Sequence, residues 1–162
     1  PITFIVEDFK NTFQDSVKHL KLASHMLGVT YPLVQDPRMF IGILENLNKS
    51  LKECLDSLLL YERMYKKIGP YPDNFNSKLE LFRRIVKTRY DLDETLPRFI
   101  FEIDQLVKNR KRAPVEFSRK DGFVICDSEY KTRILKIEEL KSYISKAKVF
   151  ILKVHSIITR RT

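Results

Sequence analysis

The sequence predicts a mainly α fold, an antiparallel four- to five-helix bundle with a small two- or three-stranded β-meander inserted before the last helix. Three observations predict it. Phe40, Leu44, Leu47, Leu51, Cys54, Leu58, Tyr61, Tyr65 and Ile68 recur at alternating spacings of four and three, the apolar stripe of a long packed helix. Ile137, Leu140, Ile144, Ala147, Ile151, Val154 and Ile158 repeat the pattern near the other end of the chain. Between them, from about 115 to 135, the apolar period drops from 3.6 to 2.

Taken in order, residues 6–27 predict a first helix. Val6, Phe9, Phe13, Leu20, Ala23 and Leu27 share one side, with Val17 beside them and a weaker point at Ser16. Gly28 is placed to end it. The connection to Pro37 carries a glycine and two prolines, and Asp36 with Pro37 suits the start of the central helix, Arg38 to Ile68. Gly69-Pro70 stops that helix. Ser77 and Glu80 have capping-box spacing for a short helix with Leu79, Phe82, Ile85 and Val86 inward. Asp91 to Glu94 breaks it. A further helix follows to about Asn109, with Leu96, Phe99, Ile100, Ile103, Leu106 and Val107 inward.

Lys108 to Pro114 reads as a basic linker. Asp121-Gly122 is a pair favoured in two-residue hairpin turns, with strands before and after it and a third after Asp127-Ser128. Such a meander must lie against the bundle to be stable. The last helix runs from about Ile137 to Thr159, its stripe widened by Tyr143, Phe150 and Ile157. The whole chain, 1–162, reads as one domain.

Composition excludes much. Four glycines leave no Walker A, no GxGxxG and no Gly-x-Ser-x-Gly. His19, His25 and His155 show no metal-ligand spacing, and no Glu-x-x-His of a di-iron bundle occurs. Cys54 falls on the central stripe, a packing position, and nothing near Cys126 in sequence would activate it. No catalytic, cofactor or metal residues are therefore assigned. Two cysteines predict reduced thiols and a cytoplasmic setting, and no run of 18 apolar residues predicts a membrane span. The apolar N-terminus meets Glu7 and Asp8 at once, unlike a signal peptide. Tyr61 and Tyr65 read as core residues whose hydroxyls reach the rim, with Tyr71, Arg63 and Lys66 close by in sequence.

Charge is the strongest functional signal. Residues 1–107 carry 15 basic and 15 acidic residues, whereas residues 108–162 carry 15 basic and 6 acidic, so the whole net charge of +9 falls in the last third. Lys108, Arg110, Lys111 and Arg112, then Arg119, Lys120, Lys131 and Arg133, form a candidate polyanion site, with Phe117, Phe123 and Tyr130 interleaved as stacking groups. Lys141, Lys146, Lys148 and Lys153 stud the last helix, and Arg160-Arg161 follow it. The competing reading is a solvated basic surface whose aromatics anchor the hairpin.

Three functions follow as expectations. The first is a non-enzymatic binding or scaffold protein that contacts nucleic acid or an acidic protein through its basic end. The second is a homo-oligomeric interaction module, since the wide stripe of the last helix can bury against a second copy. The third is a bundle of the HEPN ribonuclease kind that lacks the ribonuclease motif. No arginine here has a histidine four to six residues later, and the nearest arginine before His155 is Arg133.

Overall fold

The computed structural model describes residues 2–112, 115–119, 122–126 and 131–160, without the side chains of 2–7, 110–112, 115–119 and 125–126. The helices are α1 (Ile2–His25), α2 (Tyr31–Val34), α3 (Met39–Met64), α4 (Phe75–Thr88), α5 (Leu96–Arg112) and α6 (Ile137–Ile158). The strands are β1 (Val115–Arg119), β2 (Gly122–Cys126) and β3 (Thr132–Lys136). The mainly helical bundle with an inserted meander is thus observed.

The centre is α3. Its stripe from Phe40 to Tyr61 is buried, while Tyr65 and Ile68 pack half-buried against the same core. Burial extends well beyond that stripe: Ile41, Ile43, Leu55 and Leu59 are inside, and so are the polar Asn48, Ser50, Ser57 and Glu62. The polar positions of the central helix therefore do not form a single solvated face. The cause is that α1, α4, α5 and α6 all pack on it.

The closest partner of α3 is α1. The weak point of the α1 seam, Ser16, is fully buried, and its hydroxyl donates to Ser50 O at 2.7 Å while the Ser50 hydroxyl donates back to Ser16 O at 2.7 Å. Two small side chains permit close backbone approach, and each hydroxyl is satisfied by the facing carbonyl.

Helix ends differ from expectation. Gly28 does not stop α1. The chain passes through it as a π-helical segment, Met26–Thr30, into α2, and no glycine among the described residues has positive φ. The stop is Gln35 at φ 54°, whose N–H bonds Tyr31 O at 2.7 Å. Asp36 does serve the start of α3, its carboxylate accepting the Arg38 N–H at 3.0 Å. The far end of α3 is set before Gly69-Pro70, by Lys66 at φ 56°. Lys66 N–H bonds Arg63 O and Lys67 N–H bonds Glu62 O, a Schellman closure. The cap of α4 is Asn74 rather than Ser77: Asn74 Oδ1 accepts the Ser77 N–H at 2.8 Å, placing Ser77 in the first turn. The basic stretch 108–112 continues α5 and is not a linker.

The strands form one antiparallel sheet in the order β1-β2-β3. Gly122 pairs with Arg119 as the first residue of β2 and so belongs to the strand rather than to the turn expected at Asp121-Gly122. A Cβ on Gly122 would lie 2.6 Å from Leu135 O, so glycine is needed for strand contact. Phe123 and Leu135, opposite one another on β2 and β3, enter the bundle core and fix the sheet to it, with β3 beside α6. The turn read at Asp127-Ser128 lies outside the described residues.

Candidate functional site

Only three of the eight candidate polyanion contacts have described side chains. Lys108 lies 3.0 Å from the buried carboxylate of Asp104, four residues earlier on α5. Arg133 is held by Glu139 at 2.9 Å and by the Tyr143 hydroxyl at 3.0 Å. Lys131 is exposed. The side chains of Arg110, Lys111, Arg112 and Arg119 lie outside the described residues, as does Lys120. Phe123 is a core residue and offers no face to a base. Phe117's side chain and Tyr130 lie outside the described residues. All three visible cations thus already have an interaction within the chain.

Two polar clusters inside the bundle were not visible in the sequence. On α5, Asp104 takes ion pairs from Lys52 and Lys108, and the Asn48 amide donates to it at 3.3 Å. Both ammonium groups also sit over the Phe75 ring, Lys52 at 4.6 Å and Lys108 at 6.0 Å. Burial pushes the Asp104 carboxyl up, but the hydrogen bonds from Lys52 and Lys108 outweigh it and hold the group below the usual carboxylate range. Near the end of α3, fully buried Glu62 accepts from Arg89 Nη1 at 2.6 Å and from the Tyr90 hydroxyl. Burial first, and then the Glu62 carboxylate, push the Tyr90 hydroxyl's pKa well above that of an ordinary tyrosine. Both clusters tie α3 to a neighbouring helix or its end. With every carboxylate paired to a cation, they resemble structural staples.

Elsewhere the chemistry is muted. Cys54 is free and fully buried, and burial raises its thiol far above the reactive range. Tyr61 is a core residue with its ring edge-on to Phe9 at 5.6 Å. His19 bonds Glu53 across the α1–α3 seam at 2.9 Å. Among the described residues no group of three His, Cys, Asp or Glu is arranged to hold a metal ion. Nor is any helix there long and apolar enough to cross a membrane.

A groove of about 910 Å³ lies between α1 and the end of α6. Phe9, Phe13, Val17 and Ile158 form its floor, and the His155 ring stacks on Phe13 at 5.7 Å. Lys10, Lys18 and Lys21 line it from α1, with His25, and no carboxylate is among its described lining residues. Those three lysines form no ion pair among the described residues, and on α6 neither do the exposed Lys141 and Lys148. Sequence averaging hid the α1 lysines because they fall in the electrically neutral part of the chain. Compared with family models, curated proteins and solved structures, the chain matches none.

Proposed function

We propose that the chain is a non-enzymatic binding or scaffold protein that contacts a polyanion, nucleic acid or an acidic protein, through its cationic surface. The supporting observation is the groove between α1 and α6, where three lysines without acidic partners among the described residues line one concavity that has no carboxylate among its described lining residues. Unneutralised cations concentrated on one surface raise the local concentration of anions and steer their approach. The proposal moves the centre of the contact from the hairpin toward α1 and α6, and keeps Lys131 and the residues of 110–112 and 119–120 as its possible extension. Its setting is reducing and cytoplasmic, in keeping with the free buried thiol of Cys54.

The test is a titration of the full chain with a labelled single-stranded oligonucleotide and with poly-glutamate over a range of salt. Affinity for at least one probe falls with salt, by roughly 0.7 in log K per unit log salt for each phosphate engaged on a single strand. No binding of either probe at low salt, or a flat dependence, sinks the proposal. Charge reversal at Lys18 and Lys21, set against reversal at Arg110, Lys111 and Arg112, locates the contact by which pair of slopes becomes shallower.

A second copy of the chain is the alternative partner. The widening residues of the last helix do not call for one, because Phe150 and Ile157 are buried within the chain and Tyr143 packs on Phe99. What favours it is Val29, Leu33 and Val34 around α2, exposed at 49%, 82% and 58%. Light scattering that reports a monomer at high concentration removes this reading. The HEPN-like alternative gains no catalytic constellation from the described residues.

A further inference from the structure

The groove has two chemistries, an apolar floor and a cationic edge, and a ligand that satisfies only one leaves the other unused. Lys10, Lys18 and Lys21 are spaced by eight and three residues along one side of α1, a span of roughly 16 Å or three helical turns. Between α1 and α6 lies the apolar floor. Leu22 extends it outward at 44% exposure. Two neighbouring helices with an apolar furrow between them form the usual seat for a third helix.

We propose that this groove docks an acidic amphipathic helix of a partner protein, its apolar face on Val17 and Leu22 and its carboxylates against the three lysines. This deepens the binding reading above and rests on it. Three observations favour this occupant over the others. A nucleic acid would meet the lysines but leave the apolar lining of Val17 and Leu22 unused. A second copy applied groove to groove would set lysine against lysine. The exposed apolar segment of another copy, Val29, Leu33 and Val34, is also poorly suited, because residues 26–34 carry no carboxylate to meet the lysines. The remaining match is a helix of opposite charge, since complementary charge around an apolar centre supplies both steering and burial.

The probe is a synthetic helical peptide of about five turns, long enough to pass the three lysines, with leucines on one face and glutamates beside them. Its control has the same composition in scrambled order. Binding to the full chain is read by fluorescence anisotropy, alongside a single-stranded oligonucleotide and vesicles of anionic phospholipid. The amphipathic peptide is expected to bind at least tenfold more tightly than its scrambled isomer. Leu22→Ser and Lys18→Glu/Lys21→Glu each weaken it at least fivefold without lowering the thermal melt, both sites being on the surface, and Leu22→Ser leaves oligonucleotide binding unchanged. Equal binding of the two peptides overturns the proposal, because charge alone then explains it. So does binding of oligonucleotide or vesicles with the same sensitivity to Leu22→Ser. If only the oligonucleotide binds, the helix proposal falls while the polyanion reading stands, and if nothing anionic binds, both fall.

Discussion

Glu62 shows how much a single residue can hide. In sequence it is one more charge on an amphipathic helix, yet it is fully buried and its partners, Arg89 and Tyr90, are 27 and 28 residues away. No local pattern announces a carboxylate that will be paired across the fold. Removing the cation leaves the buried charge uncompensated, which costs far more than the pair itself contributes. Arg89→Met is therefore expected to destabilise by about 3–5 kcal/mol. The double variant Glu62→Met/Arg89→Met should lie closer to the parent than Arg89→Met alone, a comparison read from urea midpoints. Asp104 makes a pH-dependent prediction. Its carboxyl is held low by Lys52 and Lys108. A depressed acid contributes stability that is complete above its unfolded value of about 3.9 and is lost as pH falls through the folded value. Asp104→Asn should cost about 1–3 kcal/mol at neutral pH, and the gap to the parent should narrow below about pH 4, as denaturation at successive pH values would show. Asp56 opposes this trend weakly, because burial raises its carboxyl and favours the proton in the folded state.

At the scale of elements, every long helix and the meander were legible, because each buries a periodic apolar face. The inner residues named for α4, α5 and α6 are buried or packed against the core. Ends were less legible, and the reason is physical. A helix stops where some residue accepts a left-handed turn or where a side chain caps it, and several neighbours compete for each role. Gly28 competed with Gln35 and lost, since helical backbone continues through a glycine when tertiary packing favours it. Ser77 competed with Asn74, equally suited to capping and three residues earlier. The basic run 108–112 stayed helical because Lys108 is tied to Asp104 one turn before it. Lys66 gives this scale its prediction. It closes α3 at φ 56°, where a side chain carries a steric cost that glycine escapes. Lys66→Gly should stabilise by about 1 kcal/mol and raise the melting temperature by roughly 2–4 °C. An unchanged or lower melt would mean that the Lys66 side chain supplies compensating contacts.

For the whole molecule, the sequence revealed how much positive charge there is but not where it gathers. Net charge was summed along the chain, and a groove is assembled across it. The α1 lysines are balanced in sequence by Glu7, Asp8 and Asp15, and of these Asp8 and Asp15 are exposed and do not line the groove. Conversely, the basic residues closest together in sequence include Lys108, which serves the interior of the bundle. If the groove is a docking surface, its empty form holds like charges together at a cost to folding, the familiar opposition between stability and a site kept ready for a partner. Lys18 and Lys21 are three apart on one helix, and a like-charged pair at that spacing destabilises by about 0.2–0.5 kcal/mol. Relief from Lys10 and His25 nearby adds to the effect of neutralising both. Lys18→Gln/Lys21→Gln should therefore raise the melting temperature by about 1–3 °C at low salt. The gain should vanish near 1 M salt, where the screening length falls to about 3 Å. The same variant should bind the anionic probes more weakly. Thermal melts across salt, paired with the titrations, read both quantities from one protein. A lower melt at low salt would show that these lysines already have acidic partners in the free chain, and the groove would then be an ordinary neutralised surface.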